Sequence, residues 1–356
     1  MVQQSWVATG GCHSPEIFIP GSRKNNPAGG KQEVVGSQQV EILLVEGDDQ
    51  ESWWLSDAFE ETELIHVVRV VPHVKAALEA LRGSDRITPS LIMLDIQGAA
   101  NSDDFGLAQS LEALGELKGD DELRSIPVVI VTSNNLQADV LNAYSHGASS
   151  FVCKPDTKAE RATLISRFSQ YWAQVAELPW ANPDPAMLPV RTFEELADEF
   201  RASRRRPIQI LIVDDSEDDV ILLKEAFSDC PMVEFVGAVA DGDHALQFLR
   251  REGEFKTAKR PGLVLMDINM PRKNGFEVLT EMRSDAQLSN VPVVMLTTSK
   301  QESDILRAYD GGACSFIAKP VSFDTMKSVA RQFALYWTTV ADIPQGEDSD
   351  LVPAPA

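Results

Sequence analysis

Five residues have types and spacings that can do chemistry together: the adjacent pair Asp214 and Asp215, a third carboxylate at Asp267, a hydroxyl at Thr297 and an ammonium at Lys319. Three neighbouring carboxylates repel one another, and at least one is driven toward protonation unless a cation neutralises them. Their convergence therefore implies a divalent metal. Oxygen ligands without histidine or cysteine favour Mg²⁺, which keeps several waters and readily bridges carboxylate and phosphate oxygens. Taken singly, each residue has a plainer reading. An acidic pair before a helix is often a cap, a strand-end threonine is usually a hydrogen bonder, and a lysine is usually solvated. It is the ordered set that is hard to produce by chance, with thirty residues from Asp267 to Thr297 and twenty-two from Thr297 to Lys319.

The elements that must position these residues are written twice. Strand-like 40–45 (VEILLV) matches 209–213 (QILIV), and 91–95 (LIMLD) matches 263–267 (LVLMD). Further on, 128–133 (VVIVTS) matches 293–298 (VVMLTT), and 151–155 (FVCKP) matches 316–320 (FIAKP). Both copies close on a helical run, from Tyr171-Trp172 to Leu178-Pro179 and from Tyr336-Trp337 to Ile343-Pro344. A repeat at an offset of 165 to 172 residues is duplication at domain scale.

Continuous apolar strands alternate with helix-period segments such as 220–227, 244–251, 276–283 and 303–309. That alternation indicates parallel sheets covered on both faces. The expected fold class is α/β, two flavodoxin-like (βα)5 domains, each a five-stranded parallel sheet. Ligands of such sheets bind beyond the carboxyl ends of the strands, where all five residues fall.

The second copy resembles the receiver domains of two-component response regulators, because Asp214-Asp215, Asp267, Thr297 and Lys319-Pro320 occur in that family's order from about Pro207 to Pro344. The resemblance implies roles residue by residue. Asp267 is the nucleophile and phosphoacceptor, Asp215 a direct Mg²⁺ ligand, Asp214 a ligand mainly through water, and the Asn269 carbonyl the last protein ligand. Thr297 and Lys319 grip the phosphoryl oxygens, Phe316 takes the place of the switch aromatic, and Pro320 follows the lysine as in the family's cis-proline turn. An in-line transfer of this kind needs positioning and charge stabilisation more than acid–base groups. Movement of Thr297 toward a new acyl phosphate, with Phe316 turning inward, would reshape the face of the fourth helix, fifth strand and fifth helix. The phosphodonor implied is a histidine kinase or a phosphotransfer protein. The Tyr-Trp helices are similar to those of small regulators paired with bacterial phytochromes, which implies a homodimer through the last helix region; Trp172 and Trp337 equally suit caps on the core.

The first copy departs where the chemistry is most sensitive. Glu46 and Gly47 replace the aspartate pair, while Asp95, Thr132, Phe151 and Lys154-Pro155 persist. Loss of a ligand at Gly47 weakens metal binding unless Asp48 reaches inward. Gln97-Gly98-Ala99 stands where the second copy has Asn269-Met270-Pro271, and Asp95 to Thr132 is seven residues longer than Asp267 to Thr297. The first copy is expected to be a degenerate receiver, with Asp95 a weak second acceptor as the alternative.

The expected organisation is a flexible leader at 1–39, a degenerate receiver at 40–179, a linker with a short helix opened by the capping box of Thr192 and Glu195 at 180–207, an active receiver at 208–344, and an acidic tail at 345–356. No output domain is expected. A net charge of −22 makes nucleic acid and anionic membrane poor partners. No run approaches the roughly 18 apolar residues of a membrane span. Cys12, Cys153, Cys230 and Cys314 show no CxxC spacing, which fits a reducing cytoplasm.

Two other functions share part of this pattern. A haloacid-dehalogenase-type phosphatase also uses an aspartate nucleophile with lysine and Mg²⁺, but needs a second aspartate two residues on, where Asn269 and Gln97 stand. A scaffold or dimerisation module working without phosphorylation would use both copies and keep its partners when Asp267 is lost.

Overall fold

The computed structural model describes residues 40–181 and 206–344, apart from 63, 66, 84–85, 97–106 and 134–135, together with 198 and 200. The 1–39 leader, most of the linker including all but two residues of its expected helix, the Gln97-Gly98-Ala99 loop and the 345–356 tail lie outside these residues.

The first copy runs β1 (Glu41–Val45), α1 (Asp49–Glu60), β2 (Val67–Val71), α2 (Val74–Arg82), β3 (Leu91–Asp95), α3 (Leu107–Gly119), β4 (Val128–Thr132), α4 (Gln137–Ser145), β5 (Ser150–Cys153) and α5 (Lys158–Gln174). The second runs β6 (Ile208–Val213), α6 (Glu217–Ala226), β7 (Val233–Val239), α7 (Gly242–Arg250), β8 (Leu263–Met266), α8 (Gly275–Ser284), β9 (Val293–Thr297), α9 (Glu302–Asp310), β10 (Ser315–Ala318) and α10 (Phe323–Leu335). Each set forms a five-stranded parallel sheet, in the orders β2-β1-β3-β4-β5 and β7-β6-β8-β9-β10. These are the two flavodoxin-like sheets expected. The central strands β3, β4 and β9 are buried along their whole length because helices cover both faces.

Local chemistry sets the helix starts in the same places twice. Asp48 caps α1 and Ser216 caps α6; Thr157 and Ser322 cap α5 and α10 in the same way. Each side-chain oxygen takes an otherwise orphaned N–H of the first turn. Asn274 and Glu277 form a reciprocal capping box on α8, directly after the acceptor strand.

The two copies pack against each other along α5, α10 and a π turn at Tyr336–Val340. The contact is pseudo-symmetric. Trp172 donates its indole N–H to Tyr336 Oη (2.8 Å), and Trp337 donates to Tyr171 Oη (3.0 Å). The Glu177 N–H donates to the Phe316 carbonyl (2.8 Å), and the equivalent Asp342 N–H donates to the Phe151 carbonyl (2.7 Å). Tyr309 and Tyr144 complete the pattern, their hydroxyls donating to the carbonyls of Glu177 and Asp342. All four aromatic residues of the Tyr-Trp pairs are fully buried. Trp172 and Trp337 belong to the core, and that core joins the two copies within a single chain.

Candidate functional site

The sheet order reverses beside β6 and β8, so the crevice lies beyond the carboxyl ends of these strands. Asp214 follows β6, Asp267 follows β8, Thr297 ends β9 and Lys319 follows β10. Carboxylate oxygens of Asp214, Asp215 and Asp267 lie within 4.8 Å of one another, with Asp214 and Asp267 buried and Asp215 exposed. A donor set of oxygens alone fits a hard divalent cation. Asn269 is exposed one residue beyond buried Ile268, on the loop that leaves β8.

The Lys319 ammonium donates to Asp214 Oδ2 (2.7 Å) and to Asp219 Oδ2 (2.6 Å), and stands 3.9 Å from Asp267 Oδ1. Burial alone would lower its pKa, but the hydrogen bonds to Asp214 and Asp219 and the charge of Asp267 hold it above the ordinary lysine value. Burial raises the Asp214 carboxyl despite the nearby ammonium. Asp214 also accepts the Ser216 N–H (3.0 Å), which orients it from the helix cap. Thr297 is completely buried, and its carbonyl accepts the Lys319 N–H (2.7 Å).

One expectation changes here. The Lys319–Pro320 peptide is trans, the form favoured for X-Pro by about 0.5–1 kcal/mol. Phe316 is fully buried, and its carbonyl accepts the Glu177 N–H.

In the first copy the equivalent lysine bonds the strand-end acids directly. Lys154 donates to Asp95 Oδ2 and to Glu46 Oε2 (3.1 Å), with Glu51 Oε2 3.8 Å away. Burial, and then the hydrogen bond with Asp95, push Glu46 up to about 8. Gly47 contributes no side chain. Asp48 does not reach inward: it is exposed, and its carboxylate accepts the N–H groups of Gln50 (2.8 Å) and Glu51 (3.0 Å). Among the described residues, the grouping able to hold a metal is the one in the second copy.

Reading the sequence missed Asp219 and its first-copy counterpart Glu51, each five residues after the strand-end acid. The signal was present: the repeat places an acid at that position in both copies.

Comparison with known proteins agrees with this geometry. The family model for the response regulator receiver domain matches residues 210–331. Response regulator Rcp1 of Synechocystis sp. is 31% identical over 138 residues, 39% of this chain and 94% of that protein. Protein PilH of Pseudomonas aeruginosa is 34% identical over 122 residues, 33% of this chain and 90% of that protein. Among solved structures, the phosphorylated cyanobacterial phytochrome response regulator RcpA is 36% identical, with a TM-score of 0.37, covering 39% of this chain and 99% of that one. With the acid pair, the strand-end aspartate, the threonine and the lysine gathered at one sheet edge, and a relative matched over nearly its whole length, this chain belongs to the response regulators of two-component systems.

Proposed function

We propose that the chain is a phosphorelay response regulator in which Asp267 accepts a phosphoryl group from a histidine kinase or phosphotransfer protein, within an active receiver at 208–344. The observation that carries this reading is the approach of the Asp214, Asp215 and Asp267 carboxylates to within 4.8 Å beside the Lys319 ammonium. An Asp267 oxygen attacks phosphorus while the P–N bond of the donor phosphohistidine breaks, its electron pair and then a proton going to the departing imidazole. Lys319 and Thr297 hold the phosphoryl oxygens, and Asp214, Asp215, Asp267 and the Asn269 carbonyl hold Mg²⁺. When bound, Mg²⁺ offsets the negative charge that builds up as phosphate meets carboxylate. The chain catalyses its own phosphotransfer and dephosphorylation and acts on no other substrate.

A protein donor is supported by the rim of the cleft. Ile221 and Leu222 on α6, and Val321 and Phe323 after Lys319, are exposed large apolar side chains flanking the site, and a net charge of −22 disfavours nucleic acid. The free thiols of Cys230 and Cys314 fit a reducing cytoplasm, and no helix among the described residues is long and apolar enough to cross a membrane. In this reading the first receiver, 40–179, carries no phosphate, which is supported by the Lys154 ammonium donating to both Asp95 and Glu46. The output is a change in protein–protein contacts.

The test is phosphorylation with acetyl phosphate or phosphoramidate and Mg²⁺, read by intact mass on wild type, Asp267→Ala and Asp95→Ala. One adduct lost only in Asp267→Ala is expected. Two adducts would make Asp95 a second acceptor. No adduct would favour a scaffold independent of phosphorylation, a reading supported by the extensive aromatic pairing of the two copies.

A further inference from the structure

The two copies hold the same lysine in opposite ways, and the difference traces to one helix position and its neighbour. Asp219 sits in the first turn of α6, 36% exposed, and takes the Lys319 ammonium at 2.6 Å. With Asp214 on the other side, it stops Lys319 3.9 Å short of Asp267. The first-copy equivalent, Glu51, is occupied elsewhere. One guanidinium nitrogen of Arg161 donates to both of its oxygens, at 2.7 and 3.0 Å, while the Arg161 Nε–H is fixed on the Pro155 carbonyl (2.6 Å) and the guanidinium lies over Trp54. Lys154, left 3.8 Å from Glu51, bonds directly to Asp95. At the position of Arg161 the second copy has Met326, and at that of Trp54 it has Leu222, and Asp219 is paired with Lys319.

We propose that Asp219 is a positioning residue: it holds the Lys319 ammonium off Asp267, leaving the acceptor carboxylate open to a cation and to phosphorus. In the first copy, the capture of Glu51 by Arg161 releases Lys154 onto Asp95 and closes the site. This rests on the reading of Asp267 as a metal-assisted acceptor and adds how its lysine is controlled. The physical reason is competition. An ammonium in direct contact with a buried carboxylate occupies the oxygen lone pairs and supplies the positive charge that a divalent cation would otherwise bring.

The test is titration of the full chain with Mn²⁺, following the free ion by electron paramagnetic resonance. Asp219→Asn is expected to weaken Mn²⁺ binding at least tenfold, and Asp219→Glu to restore it to within about threefold of wild type. Asp218→Asn, which removes an exposed charge from the same helical turn, measures the change owed to net charge alone and is expected to be small. In a Lys319→Met background the effect of Asp219→Asn should vanish, because there is no ammonium left to collapse. An equal loss of affinity in both backgrounds, or an Asp219→Asn protein that binds Mn²⁺ as tightly as wild type, overturns the proposal while leaving Asp267 as the acceptor. A wild-type chain that neither binds Mn²⁺ nor gains a phosphoryl adduct overturns both.

Discussion

Tyr171 and Tyr336 occupy the same position in the two copies and stack on each other, with ring centroids 4.2 Å apart and 9° between the planes. Each also accepts the indole N–H of the tryptophan in the other copy. Trp172 and Trp337 approach edge-on, at 5.9 and 6.1 Å from the tyrosines they bond. Stacked and edge-to-face pairs contribute about 0.5–1.5 kcal/mol each beyond the area they bury. The interface is therefore built around four rings and two buried hydrogen bonds.

Removing only the hydroxyl separates these contributions. Tyr336→Phe keeps the stack but leaves the buried Trp172 N–H without its acceptor and takes a donor from Ser150 Oγ (2.9 Å). A loss of about 1–3 kcal/mol is expected for an unsatisfied buried donor. Tyr336→Ala should cost more, about 3–5 kcal/mol, by opening a cavity between the copies. Urea denaturation of the whole chain measures both.

Glu177 gives the pairing a pH dependence. Its carboxyl is 8% exposed, and burial pushes it from an ordinary 4.5 up to about 7, with Lys300 pulling the other way. A carboxyl whose folded pKa is raised binds more protons folded than unfolded between those two values. Its stabilising contribution is complete below about 4.5 and is lost as pH rises through 7. The wild type should therefore lose on the order of 2–3 kcal/mol relative to Glu177→Gln between pH 4.5 and 8. Equal slopes for the two proteins in urea denaturation across this range would exclude the effect.

Gly275 bears directly on the acceptor. A β-carbon there would stand 2.3 Å from the Asp267 carbonyl oxygen and 3.0 Å from Met295 Cε. The helix α8 starts hard against the end of β8, its first N–H donating to the Ile268 carbonyl (2.9 Å). Gly275→Ala must push the acceptor strand or the helix aside. A destabilisation of about 1–3 kcal/mol is expected from overpacking, with loss of the phosphoryl adduct in intact mass. An alanine variant labelled as fully as wild type would show that the acceptor tolerates this shift.

Asp215 is the exposed member of the triad. Asp215→Asn should lower Mn²⁺ affinity at least tenfold, roughly 1.4 kcal/mol, without measurable loss of stability. Adding Gly47→Asp to that variant should recover nothing, since Lys154 remains on Asp95 in the first cleft. Calorimetric titration of the single and double variants tests both statements.

The parts of this molecule written in short-range patterns were legible in the sequence. Apolar runs such as LIMLD and VVMLT mark strands because both of their faces are buried, and the offset between copies exposes the duplication. Asp267, Thr297 and Lys319 stand at or directly after strand ends, which the apolar runs mark. Long-range pairing was harder to read. Arg161 meets Glu51 across 110 residues, and Lys319 meets Asp219 across 100. In sequence these acids look like ordinary charges at the start of a helix. Asp48 misled for a related reason: as an acid next to the cleft it suggested a ligand, whereas its position before α1 makes it a cap. That the Tyr-Trp helices pair within one chain was also invisible, since a repeat specifies a sticky face twice without saying which copies meet.

Joining the two faces by one polypeptide has a consequence for how the pairing responds to abundance. Separate regulators associate only when their concentration approaches the dissociation constant, whereas tethered faces meet at an effective concentration in the millimolar range for a short connection. The Tyr171–Tyr336 contact should therefore stay closed at any expression level. A free protein seeking this surface would have to outcompete that local concentration, so exchange with other regulators is suppressed by the covalent linkage itself.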